Sequence, residues 1–235
     1  MIRTVVFDAY GTLFDVHSIS TLAERLYPTH GVAISTLWRD KQIEYTRLIS
    51  LSDPNVETGS RYYQSFWEIT RLSLRYTLAR LKLHASPDNE AALMQQYAAL
   101  APFPENIGVL QTLKTMGIAT GILSNGSREM LDSAATSAGM KTLLDQVISV
   151  NEVKQFKTSP SSYELVEKYF AVARDEVLFV SSNAWDALGA TWFGFITLWV
   201  NRQQLPNETI GPAPHHMGSD LTQVLRVLQL PPQRD

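Results

Sequence analysis

The 235-residue sequence contains no cysteine, which excludes disulfides, thiol catalysis and thiolate-bound metals together. Histidine is scarce. Of the five present, the adjacent pair His215 and His216 has no obvious third ligand, so it reads as a surface loop and not a metal site. Uninterrupted apolar runs are short, none approaching the roughly 18 residues of a membrane helix. The apolar start from Met1 stops at Asp8, too early for a signal peptide. Basic runs are missing too: 20 Lys and Arg are scattered against 23 Asp and Glu, for a net charge of -3. That balance excludes a nucleic-acid binder. The expectation is a cytoplasmic protein with no membrane or nucleic-acid partner. A small anionic ligand would need only a locally positive pocket, on which net charge is silent.

What is present is an alternation. Thr4 to Phe7 is a β-rich run ended by Asp8 and the turn-forming Gly11. Similar runs follow at Ala119 to Leu123, Val177 to Val180 and Phe195 to Val200, with a weaker one at Gln146 to Val150. Segments of helical spacing separate them: Ile107 to Met116, Arg128 to Ala138 and Tyr163 to Phe170. Strands alternating with helices predict an α/β fold, a Rossmann-like parallel sheet with helices on both faces. Ligands then bind beyond the carboxyl ends of the strands, where Asp8, Ser124 and Ser181 should converge. The region between the first two strands differs. It shows amphipathic helical patterns at Ile34 to Leu51, Arg61 to Leu83 and Asn89 to Leu100, broken by a loop at Ser52 to Gly59. The expected organisation is a core of residues 1–15 and 101–235 with an all-helical cap, residues 16–100, inserted after the first strand.

Four local patterns carry chemistry. Asp8-Ala-Tyr-Gly-Thr12 puts a carboxylate and turn N–H groups at a strand end, although an Asx turn looks the same. Leu123-Ser-Asn-Gly-Ser127 offers hydroxyl, amide and N–H donors before a helix, although a plain N-cap would too. Lys157 precedes the helix start Ser159-Pro160, where a lysine is usually a solvated charge. Val180-Ser-Ser-Asn-Ala-Trp-Asp186 leads into an Ala/Gly-rich helix whose first turn favours an acid.

Taken in order, these patterns resemble the haloacid dehalogenase superfamily, and within it the subfamily of 2-haloacid dehalogenases acting on the (S) enantiomer. The resemblance spans nearly the whole chain, including Trp38-Arg39 and Glu44-Tyr45 in the helical region. Many members of the superfamily are Mg²⁺-dependent phosphatases, with a second Asp two residues after the nucleophile and a further acidic pair. Here those places hold Tyr10 and Ser182, and only Asp186 of the pair remains. A phenol is a poor general acid at neutral pH, and Mg²⁺ wants several oxygen ligands, commonly carboxylates. Halide leaves without a proton, so dehalogenation tolerates both departures.

The resemblance implies hydrolysis of small (S)-2-haloalkanoic acids, haloacetates included and fluoroacetate worth testing, to (R)-2-hydroxy acids. Water is co-substrate, no cofactor or metal is needed, and the protein is a homodimer. It implies that Asp8 is the nucleophile and that Lys157 keeps a neighbouring carboxylate ionised. Asp186 and Asn183 position and activate water. Arg39, Asn125 and Trp185 cradle the halide, while Ser124 and N–H groups of Ala9 and Tyr10 hold the substrate carboxylate. Thr12, Ser181 and Tyr163 support from behind. An apolar wall near Tyr10 would draw on Phe66 and Trp67. The alternatives are a Mg²⁺-dependent phosphatase and a catalytically silent carboxylate binder.

Overall fold

The structure, a computed structural model, describes residues 1–229 without the side chain of His17, so the last six residues of the expected core lie outside it. Six parallel strands form one sheet: β1 Thr4–Phe7, β2 Ala119–Ser124, β3 Gln146–Ser149, β4 Val177–Ser181, β5 Ile196–Val200 and β6 His216–Gly218. Their order is β3-β2-β1-β4-β5-β6. The chain runs outward from β1 to one side, then crosses back to β4 on the other. The order therefore reverses at β1, which is where an open parallel sheet leaves a crevice beyond its strand ends. Register keeps those ends level, since Phe7 pairs with Ile122 on one side and Val180 on the other.

Strands β1, β2 and β4 are buried almost throughout, as expected for strands covered on both faces. Covering them are α5 Asn106–Thr115, α6 Arg128–Ser137, α7 Pro160–Phe170, α8 Ala184–Phe193 and α9 Gln223–Gln229. Between β1 and β2 the elements are helical: α1 Ile19–Leu26, α2 Gly31–Ser52, α3 Phe66–Arg80 and α4 Pro87–Ala98. Local chemistry sets several starts. Ser65 and Ser86 accept from the N–H groups of Glu68 and Asn89 at 3.2 Å, and Pro87 and Pro160 open their helices.

The structure departs from the sequence reading in several places. Helix α3 begins at Phe66, not Arg61, because Ser65 caps it and Ser60 is tied to the Lys154 carbonyl at 3.0 Å. Helix α1 was not anticipated, since it fully buries only Ile19 and Ala23. His215 lies exposed in the bend before an edge strand, as the surface-loop reading expects, but His216 does not. His216 opens the edge strand β6, and His215 Nδ1 accepts from the Thr197 N–H at 3.2 Å.

Gly121 in β2 leaves no room for a side chain. A Cβ there would come 2.7 Å from the Phe170 ring and 3.0 Å from the Gln146 carbonyl oxygen. Gly121→Ala should destabilise the fold by about 1–3 kcal/mol, read as a lower urea midpoint. An unchanged midpoint would mean that Phe170 turns aside without cost.

Candidate active site

Beyond β1 the backbone turns sharply. The Asp8 N–H still bonds to the Val180 carbonyl at 2.9 Å, and the N–H groups of Thr12, Leu13 and Phe14 then fold back onto the Ala9 carbonyl. Gly11 takes φ of 91°, a left-handed conformation that favours glycine. This turn leaves the Asp8 carboxylate facing the crevice with both oxygens engaged. Oδ1 accepts from Lys157 Nζ at 3.1 Å, while Oδ2 accepts from Asn183 Nδ2 at 2.8 Å and Thr12 Oγ1 at 3.1 Å. Thr12 Oγ1 in turn accepts from the Ser182 N–H at 2.8 Å, which directs its proton at Asp8.

Lys157 also donates to Asp186 Oδ2 at 3.0 Å, and the Tyr163 hydroxyl donates to Asp186 Oδ1 at 2.8 Å. The ammonium thus bridges two carboxylates, and Lys157, Asp8 and Asp186 expose only 1%, 6% and 0% of their surface. Burial alone would lower the lysine, but Asp186 and Asp8 outweigh it and hold the ammonium above its ordinary value. Burial raises Asp186, against the pull of Lys157 and with the push of Asp8. Two carboxylates and one ammonium leave the cluster one negative charge in excess, which accounts for the direction of Lys157, whereas burial accounts for that of Asp186. Burial, with Asp186 beside it, keeps the Tyr163 phenol well above its usual range.

Most of the remaining expected residues gather around this cluster. Asn125 Oδ1 accepts from the Lys157 N–H at 2.9 Å, which turns its amide nitrogen the other way. Ser124 Oγ and Ser181 Oγ accept from the N–H groups of Gly126 and Asn183 at 3.1 Å, and each shapes the turn after its strand. Arg39 reaches over from α2, donating to Asn183 Oδ1 at 3.3 Å and the Tyr10 carbonyl at 3.4 Å. The buried Tyr10 ring packs on Phe66 and Tyr97, with centroids at 5.6 and 5.3 Å.

A haloacid dehalogenase-like hydrolase family model matches residues 2–194. An (S)-2-haloacid dehalogenase of Pseudomonas putida is 43% identical, covering 94% of this chain and 95% of its own. The crystal structure of an L-2-haloacid dehalogenase superposes with a TM-score of 0.94 at 50% identity, covering 97% and 99% of the two chains. Another, from Xanthobacter autotrophicus with chloropropionic acid covalently bound, gives 0.87 at 37% identity, with coverage of 97% and 99%. The chain belongs to the haloacid dehalogenase-like hydrolases, among the (S)-2-haloacid dehalogenases.

In this family member a cavity of about 600 Å³ lies beside the cluster, lined by Arg39, Asn183 and Trp185 together with Gln42, Trp38 and Tyr97. Asp8, Ser124 and Asn125 are not among its walls; Asn183, which is, donates to Asp8 Oδ2 at 2.8 Å. Trp67, expected near Tyr10, instead lines a groove between α3 and α4 with Arg71 and Met94. Gln42, Thr70 and Tyr97 are site-side groups that sequence reasoning missed. Each looks like an ordinary helix residue, and they meet only because α2, α3 and α4 pack together. Among the described residues no three His, Asp or Glu side chains gather in a way that could hold a metal ion. No helix there is long and apolar enough to cross a membrane.

Lys157→Met would leave two buried carboxylates facing each other without a cation. Losing one partner of a buried ion pair costs about 3–5 kcal/mol. The variant should therefore unfold at lower urea than the parent at neutral pH. It should recover part of the loss as falling pH protonates one carboxylate. A variant as stable as the parent at pH 7 would contradict the charge count.

Proposed function

We propose that this protein hydrolyses small (S)-2-haloalkanoic acids to (R)-2-hydroxy acids through an ester on Asp8, without a metal or cofactor. The observation that carries the reading is the Asp8–Lys157–Asp186 bridge, with Asp8 aimed by Asn183 and Thr12 and with Tyr10 where an acid would serve a phosphatase. In the first step an Asp8 oxygen attacks the carbon bearing the halogen from the side opposite the halide. The carbon–oxygen bond forms as the carbon–halogen bond breaks, the halide leaves with the bonding pair, and the centre inverts. Arg39, Asn125 and Trp185 receive the halide. Ser124 and the N–H groups of the Ala9–Tyr10 turn hold the substrate carboxylate. Esterification removes the charge of Asp8, and the Lys157 ammonium then balances Asp186 alone.

In the second step water attacks the Asp8 carbonyl. One water proton passes to Asp186. Collapse of the tetrahedral intermediate breaks the acyl–oxygen bond, and the departing alkoxide takes that proton back to leave as the hydroxy acid. The second water proton is lost to solvent to restore the Asp8 carboxylate. Asn183 orients the acyl group, Ser181 and Thr12 hold the turn and the carboxylate, and Tyr163 supports Asp186 from behind. The phosphatase alternative is disfavoured by two groups. Burial pushes the Tyr10 phenol well above its ordinary value, and Ser182 stands at the earlier acidic place. We also assign residues 16–100 as a cap domain over a core of 1–15 and 101–235, and we place the protein in the cytoplasm as a homodimer.

The test is halide release from (S)-2-chloropropionate, chloroacetate and fluoroacetate with and without EDTA, beside a phosphate ester with Mg²⁺. EDTA-insensitive halide release, abolished in Asp8→Asn, is the expected result; Mg²⁺-dependent phosphate release without halide would replace this reading. Because Asp186 and Asp8 hold the Lys157 ammonium above the ordinary lysine value of 10.5, the rate should not fall as pH rises from about 7 to about 10. An alkaline midpoint near pH 8 that disappears in Lys157→Arg would contradict that assignment.

A further inference from the structure

Arg39 reaches the site on a long side chain, and a free arginine side chain loses about 2 kcal/mol of rotamer entropy when fixed. The structure shows what fixes it. One turn further along α2, Gln42 Oε1 accepts from Arg39 Nη1 at 2.7 Å and from the Tyr97 hydroxyl at 3.1 Å. Gln42 Nε2 donates to Thr70 Oγ1 at 2.6 Å, and that hydroxyl spends its own proton on the Phe66 carbonyl, also at 2.6 Å. Thr70 therefore has only a lone pair to offer. The amide orientation is dictated from α3, and it is the oxygen that faces the guanidinium. Turned over, the amide would aim N–H groups at a cation. Gln42 and Thr70 are fully buried and Tyr97 nearly so, so leaving one of these groups without its partner carries a desolvation cost.

We propose that Gln42, oriented by Thr70 and Tyr97, is a positioning residue that holds the Arg39 guanidinium where negative charge develops on the departing halide. This rests on the dehalogenase reading of Arg39. Its consequence is selective: a poorer leaving group carries a later, more charge-dependent departure and leans harder on a well-placed guanidinium. Gln42 thereby tunes the discrimination between halogens without touching the bond that breaks.

The experiment compares kcat/KM for bromoacetate and chloroacetate, which reads the steps up to carbon–halogen cleavage, in the parent, Gln42→Leu and Thr70→Val. The ratio of the two substrates does not depend on how much of a variant is folded. Gln42→Leu should raise the bromide-to-chloride ratio on the order of three- to tenfold. Thr70→Val should move it the same way by less. In an Arg39→Lys background Gln42→Leu should add little further change, because its partner is gone. If both rates fall together in Gln42→Leu with the ratio unchanged, Gln42 is packing and the proposal is overturned while the dehalogenase reading stands. A parent protein that releases no halide would instead remove that reading, and this proposal with it.

Discussion

A lysine ammonium sealed between two carboxylates is the constraint on which the rest of this structure depends. Taking three charges out of water costs several kcal/mol for each ion. At about 3 Å and an effective dielectric of about 20, each ammonium–carboxylate contact returns roughly 5 kcal/mol. The arrangement holds only if the remaining carboxylate valences are also filled, and they are. Asn183 and Thr12 serve Asp8, Tyr163 serves Asp186, and Asn125 pins the Lys157 backbone. Each of these groups is set by the end of a central strand or the start of the following helix. The sheet is in effect a frame for placing one cation between two anions.

The helices between β1 and β2 do two jobs for this frame. Their inner faces bring Arg39 to the mouth of the cluster and fix it through Gln42, Thr70 and Tyr97, one group from each of α2, α3 and α4. Their loop side is tied to the segment that carries Lys157. Phe156 N–H donates to Ser50 Oγ at 2.8 Å, and Gln155 Nε2 donates to the Asp53 carbonyl at 2.8 Å. The segments that carry Arg39 and Lys157 are thus held in mutual register by the same set of cross-connections. Arg39 meets the cluster through Asn183, whose Oδ1 accepts from the guanidinium at 3.3 Å and whose Nδ2 donates to Asp8 at 2.8 Å.

The central sheet was legible because parallel strands buried on both faces read as short, nearly unbroken apolar runs. Asp8, Ser124 and Ser181 then fell at the strand ends by position alone. The edge strand β6 was not legible, because His216-Met-Gly218 has no β-branched residue and pairs on one side only. Lys157 shows the limit best. Before a Ser-Pro helix start a lysine reads as a solvated charge, and its partners lie 149 and 29 residues away in the chain. Its burial is a tertiary fact, reached at first only through the resemblance. Gln42, Thr70 and Tyr97 escaped for the same reason, since a buried amide network has no one-dimensional signature.

The central claim is that Asp8 forms the bond to carbon and that water attacks the resulting acyl group. The most direct measurement is a single turnover in ¹⁸O-labelled water with enzyme in excess over (S)-2-chloropropionate, followed by mass analysis of the Asp8 peptide and of the product. The account predicts label in the Asp8 carboxylate and an unlabelled hydroxyl in the first lactate released. Label in the product hydroxyl with an unlabelled Asp8 would mean that water displaces halide directly, and would contradict it.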